Sequence, residues 1–168
     1  MNPKKSAVHR VGQAQSSGAP TGRPHLAFAR DDAAGSDKQL DRPARILVVE
    51  DDFLVALEME SALTDAGFAV AGVAATCEDA IELAVRARPR LAVMDIRLAG
   101  DRDGIDTALR LFAEMGIRSI FATAHQDEQA RRRAAPAVPL GWLQKPYAMA
   151  SLVGLVRKAL DQLDKDGR

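Results

Sequence analysis

Five short apolar runs, ILVV, FAVAGVA, RLAVM, RSIFATA and LGWLQ, recur between residues 46 and 144, each followed by a stretch with helical spacing. The runs are apolar throughout, whereas a strand with one wet face would alternate. Such strands need helices over both faces, and a strand–helix alternation supplies them through right-handed crossovers between parallel strands. The predicted fold is therefore α/β, a three-layer (βα)5 sandwich around a parallel five-stranded sheet. Local signals place the helices. DFLVALEMESALTDAG sets Leu54, Leu57, Ala62, Leu63 and Ala66 near helical spacing and is stopped by Gly67. Thr76 caps the second helix, with Asp79 three residues on and Pro89 beyond its end. GIDTALRLFAEMG ends in another glycine, DEQARRRAA forms a weaker fourth helix, and YAMASLVGLVRKALDQLDK a long amphipathic fifth.

Residues 1–43 differ in kind. Gly, Ser, Pro, Ala and charge dominate, nothing repeats at a helix or strand period, and the segment is expected to be a disordered basic tail. The ordered domain is expected over 44–163, with 164–168 a short C-terminal tail. Across the whole chain 23 basic residues balance 23 acidic ones, which argues against a general nucleic-acid binder. The one cysteine, Cys77, cannot form an intrachain disulfide and is read as inert, and His9, His25 and His125 are too scattered for a Cys/His zinc site. No apolar run approaches the roughly 18 residues of a membrane span, and the N-terminus lacks the apolar stretch of a secretory signal. A cytoplasmic protein is expected.

In open parallel sheets ligands bind outside the carboxyl ends of the strands. The notable polar residues gather at those ends: Glu50-Asp51-Asp52 after the first run, Asp95 after the third, Thr123 after the fourth and Lys145-Pro146 after the fifth. Several carboxylates in one pocket repel each other unless a cation neutralises them, and a hard all-oxygen site completed by water suits Mg2+. A carboxylate, a divalent ion, a hydroxyl and an ammonium have a natural joint purpose in handling a phosphoryl group. Asp95, alone at its strand end, is the candidate nucleophile. Asp52 reads instead as a helix cap.

The pieces ILVVEDD, LAVMDIRL, DGI, FATA and LQKP, in that order and spacing, resemble the response-regulator receiver domain of bacterial two-component signalling. The resemblance implies a flavodoxin-like sheet of order 2-1-3-4-5. It implies that Asp95 is the phosphorylated aspartate, that Asp51 binds Mg2+ directly and Glu50 through water, and that the backbone carbonyl of Arg97 is a further metal ligand. Thr123 matches the switch hydroxyl, Ala124 its small neighbour and Lys145 the conserved ammonium of the pattern, with the Lys145–Pro146 bond cis. Trp142 stands where the family carries a rotating Tyr or Phe, although core packing or simple exposure explains a lone Trp equally well. IFATAH is similar to the strand-four ending of FAT GUY receivers, with Ala124 and His125 in place of glycine and an aromatic.

The implied partners are a sensor histidine kinase or histidine phosphotransfer protein and a downstream protein target, with no direct DNA binding and no membrane contact. With no output domain in the sequence, a stand-alone receiver is expected, a monomer or weak homodimer that is not a turnover enzyme. Two rivals stand beside it. A phosphate-independent pseudo-receiver would not need the full set of Glu50, Asp51, Asp95, Thr123 and Lys145. An aspartate-nucleophile phosphatase wants a second Asp two residues after the first, where Arg97 stands. His125 is read as a loop residue, and Arg131-Arg132-Arg133 as a solvated face of the fourth helix.

Overall fold

The computed structural model describes residues 43–98, 103–124 and 128–167, all within the unit Lys38–Arg168. The tail expected over 1–43, His125 and the loop residues 99–102 fall outside them, apart from Pro43. Strands and helices alternate: β1 (Arg45–Val49), α1 (Phe53–Asp65), β2 (Ala69–Ala74), α2 (Cys77–Ala87), β3 (Leu91–Asp95), α3 (Gly104–Met115), β4 (Arg118–Thr123), α4 (Glu128–Ala134), β5 (Gly141–Gln144) and α5 (Met149–Lys165). The strands form one parallel sheet in the order β2-β1-β3-β4-β5, the flavodoxin-like arrangement. No helix among the described residues is long and apolar enough to cross a membrane.

The uninterrupted apolar runs are explained by two cores. Leu47, Val49, Ala92, Met94 and Phe121 point toward α2 and α3, packing with Ala80, Ala84, Ile105 and Leu111. Their neighbours Ile46, Val48, Leu91, Val93 and Ile120 point the other way, toward Met59 and Leu63 of α1 and Leu152 and Val156 of α5. Residues of either set are at most 1% exposed on the central strands β1, β3 and β4, so each large side chain there contributes about 1.5–3 kcal/mol of burial. Edge strand β2 is only partly covered. Its Gly72 sits at a register shift opposite Ile46/Leu47, where an added Cβ would come within 2.9 Å of Leu83, so the missing side chain lets α2 close down.

The caps follow the sequence. Asp52 accepts from the amides of Leu54 and Val55, Thr76 accepts from Asp79, and Asp103 accepts from Ile105 and Asp106. One reading needs correction. The inner face of α1 is Ala56, Met59 and Leu63, while Leu54 and Leu57 are 68% and 50% exposed. The apolar residues of α1 run nearly all round it, so spacing alone did not select a face. The arginines of α4 are all exposed, as expected, but their contacts differ. Only Arg132 pairs within its own helix, with Glu128, while Arg131 and Arg133 reach β5 and α3. After α4 the chain makes one 3-10 turn, Ala135–Ala137, before β5.

Candidate functional site

Sheet register brings the predicted residues together. Val49 of β1 pairs with Met94 of β3, so Glu50 and Asp95 emerge side by side on the same rim. Asp95 lies opposite Ala122, one residue before Thr123, and Thr123 lies opposite Gln144, one residue before Lys145. Four strands thus deliver their polar termini to one place, beside the β1–β3 junction where the crossovers reverse direction.

Lys145 ties the group. Its Nζ donates to Asp95 Oδ2 at 2.7 Å and to Glu50 Oε2 at 2.8 Å. The other Asp95 oxygen, Oδ1, accepts from the amide of Arg97 at 3.2 Å, and Glu50 Oε1 accepts from the amide of Asp52 at 3.3 Å. Glu50 and Asp95 are buried, Lys145 is partly buried and Asp51 is exposed to solvent. Burial pushes the Glu50 carboxyl above its ordinary value; the Lys145 hydrogen bond opposes this and the Asp95 charge adds to it. For Lys145 burial acts downward, but the hydrogen bonds and charges of Asp95 and Glu50 outweigh it and raise the ammonium.

One carboxylate oxygen each from Glu50, Asp51 and Asp95 lie within 4.8 Å of one another. That spacing, an all-oxygen donor set and an open side at Asp51 fit a hard divalent cation that retains water. On the other side of Asp95 lies a cavity of about 220 Å3, lined by Asp95, Ile96, Arg97, Thr123, Ala124, Ala130 and Lys145. The Lys145–Pro146 peptide is cis.

Trp142 is not in this cavity. It stacks on Phe121 of β4 with ring centroids 4.8 Å apart, under the guanidinium of Arg131. Three neighbours were not singled out from sequence. Ala130 and Ile96 supply apolar wall, which no periodicity reveals. Tyr147 packs behind Lys145 with its hydroxyl buried and without a hydrogen-bond partner among the described residues, and burial pushes its phenol up to about 12. Gly104 lies against the backbone of Asp95; it was legible only as part of the matched DGI.

The sequence model of the response regulator receiver domain matches residues 46–157. The chain belongs to that family. Curated relatives agree: Transcriptional regulatory protein PdtaR of Mycobacterium tuberculosis is 28% identical over 71% of this chain and 58% of its own length. Phyllosphere-induced regulator PhyR of Methylorubrum extorquens is 31% identical over 77% of this chain and 48% of its own. The chain spans about half the length of these relatives. Among solved structures, the receiver domain of a modulated diguanylate cyclase from Desulfovibrio desulfuricans is 35% identical with a TM-score of 0.68, covering 74% of this chain and 98% of that one. The response regulator PhyR from Brucella abortus is 26% identical with a TM-score of 0.63, covering 74% of this chain and 51% of that one. The chain is therefore a signalling receiver with a flavodoxin-like fold.

Proposed function

We propose that Asp95 accepts a phosphoryl group from a phosphohistidine on a sensor kinase or histidine phosphotransfer protein, and that the chain signals by docking a downstream protein or passing the phosphoryl group on. The observation that carries this reading is the convergence on Asp95: a carboxylate held by an ammonium, flanked by two more carboxylates and open to a cavity.

An Asp95 oxygen attacks phosphorus in line as the phosphorus–nitrogen bond breaks, and the imidazole nitrogen keeps the bonding pair and takes a proton. Lys145 offsets charge gathering on the phosphoryl oxygens, and the Thr123 hydroxyl donates to one of them. Glu50, Asp51 and Asp95 with the Arg97 carbonyl would hold Mg2+, which neutralises negative charge between the acceptor and the phosphoryl oxygens when bound. Arg97 stands where an aspartate-nucleophile phosphatase would carry its second Asp, which supports a phosphoacceptor over a turnover enzyme.

The approach of the donor is supported by α1. Phe53, Leu54 and Leu57 are exposed beside the acidic rim, and the charged residues of this helix, Glu58, Glu60 and Asp65, are all negative. An apolar patch with an acidic border suits a helical partner with apolar and basic residues, such as one presenting a phosphohistidine; a cytoplasmic location goes with such a partner.

Incubation with acetyl phosphate and Mg2+, followed by intact mass, tests the reading. Wild type should gain one phosphoryl group and Asp95→Asn none. An unmodified wild type would favour the phosphate-independent binding module, and an equally modified Asp95→Asn would move the acceptor elsewhere.

A further inference from the structure

Two exposed apolar areas lie at opposite edges of the sheet, and free charges of opposite sign border them. The first is the start of α1. Phe53, Leu54 and Leu57 are exposed and share one side of the helix. Glu58 and Glu60 flank them one turn further on. Both glutamates are exposed, and neither makes an ion pair among the described residues.

The second is a groove of about 440 Å3 where α2 and α3 end. Ala84, Val85, Pro89, Met115 and Ile117 line it, and Val85 is exposed. Arg88 stands at its rim as the cap of α2, in the left-handed conformation with φ 47° and ψ 64°. That conformation strains any residue with a Cβ, and α3, across the groove, meets the same need with Gly116. An arginine is thus held where glycine would be easier, and its side chain makes no ion pair among the described residues. Arg45, also exposed and unpaired there, begins β1 on the sheet face of Leu47 and Val49, which is the face of α2 and α3. The nearby acids are engaged: Glu114 by Arg110 at 2.7 Å and Glu82 by Arg86 at 3.6 Å. The free charge beside the groove is therefore positive.

Patch and groove of one chain cannot meet. They lie on opposite faces of the sheet, and a five-residue strand, about 17 Å long, separates the rim before α1 from the edge where α2 and α3 end. Between two chains the surfaces are complementary: apolar against apolar, with unpaired carboxylates meeting unpaired guanidiniums. We propose that the start of α1 in one chain seats in the α2–α3 groove of a second copy, with Glu58 and Glu60 toward Arg88 and Arg45. Because patch and groove are different surfaces, the contact is head to tail, and every added chain leaves one of each free. A patch of three large side chains makes a small interface, so the association is weak and salt-sensitive. A seated copy also covers the surface assigned above to the phosphoryl donor, a consequence that rests on the acceptor reading; the self-association does not.

The test is sedimentation equilibrium of the full chain from about 10 μM to 1 mM, with circular dichroism showing that each variant is folded. Wild type should gain weight-average mass with concentration and lose that gain at high salt. Leu54→Glu, an acid that the first turn of a helix accepts, and Arg88→Glu should each stay monomeric. Lys158→Glu, the same reversal of charge on the exposed surface of α5, should behave as wild type. Mixed in equal amounts, Leu54→Glu and Arg88→Glu should form a two-chain species and nothing larger, because one supplies an intact groove and the other an intact patch. A wild type that remains monomeric throughout would overturn the proposal, and so would a folded mixture that does not pair. Loss in only one of the two variants would replace the head-to-tail contact by another surface, and equal loss in Lys158→Glu would reduce the effect to net charge. No outcome depends on phosphoryl transfer, so the intact-mass experiment above decides the acceptor reading separately.

Discussion

Replacing Gly104 by alanine should loosen the hold of α3 on β3, the strand that carries the proposed phosphoacceptor, although alanine is the better helix former. The φ angle of Gly104 is not in the left-handed region, so the backbone itself would accept a side chain. Space would not. An added Cβ overlaps the carbonyl oxygen of Asp95, stands 2.8 Å from its carbonyl carbon and 3.0 Å from Met94 Cγ. β3 is paired to β1 and β4 on both sides and cannot retreat, so α3 must move by roughly 1 Å or more. The Gly104 amide then loses Ile96, and the Asp103 cap on Ile105 and Asp106 is strained.

Overpacking costs about 1–3 kcal/mol, the lost hydrogen bond about 1 kcal/mol and a weakened cap up to about 1 kcal/mol. Alanine propensity returns up to about 1 kcal/mol, leaving a net loss of about 2–4 kcal/mol. Urea unfolding followed by far-ultraviolet circular dichroism measures it as a lower midpoint at unchanged slope. Gly154→Ala on α5 is the internal control: nothing lies within 4 Å of its added Cβ, and a gain of about 0.5–1 kcal/mol is expected. A Gly104→Ala protein within about 0.5 kcal/mol of wild type would refute the packing reasoning.

Lys145→Met leaves Glu50 and Asp95 together without their cation; breaking a buried pair costs about 3–5 kcal/mol, and with Lys145 27% exposed about 2 kcal/mol is expected. Glu50 already lies above its ordinary value, so a native state that takes up its proton more readily than the unfolded chain should recover part of the loss as pH falls from neutral to mildly acidic; an unchanged deficit in urea melts would count against this. Mg2+ at about 100 times its dissociation constant should add about 2.7 kcal/mol of stability, reversed by chelation and lost in Asp51→Asn; identical melting with and without the ion would remove the metal site. Tyr147 is the only tyrosine, and burial raises its phenol from 10.0 to about 12, so its contribution is complete below pH 10 and lost as pH rises toward 12. Tyrosinate absorbance should appear near pH 12 or with unfolding, and a midpoint at 10 with the fold intact would contradict the burial. Tyr147→Phe removes a buried hydroxyl without a partner among the described residues and should stabilise by about 1 kcal/mol in the same melts.

The readings that held share a geometric cause. In a parallel sheet every strand ends on the same rim, so a residue's place at the end of an apolar run is also its place in space, which is why Glu50, Asp95, Thr123 and Lys145 could be gathered from positions up to 95 residues apart. Face selection has no such rule. In α1 the run from Phe53 to Leu57 fits more than one apolar stripe, and only packing on β1 and α5 chooses Ala56, Met59 and Leu63. Direction was equally hidden in α4, where the partners of Arg133 lie 27 and 30 residues away and that of Arg131 on another strand. Gly104 combines both difficulties, because a helix-starting glycine after aspartate reads as turn chemistry, whereas its use is the clearance it leaves for the Asp95 backbone. The gathering of these side chains was legible because they sit where topology repeats. The contacts that would carry a signal away from them depend on side-chain direction, and only coordinates supply that.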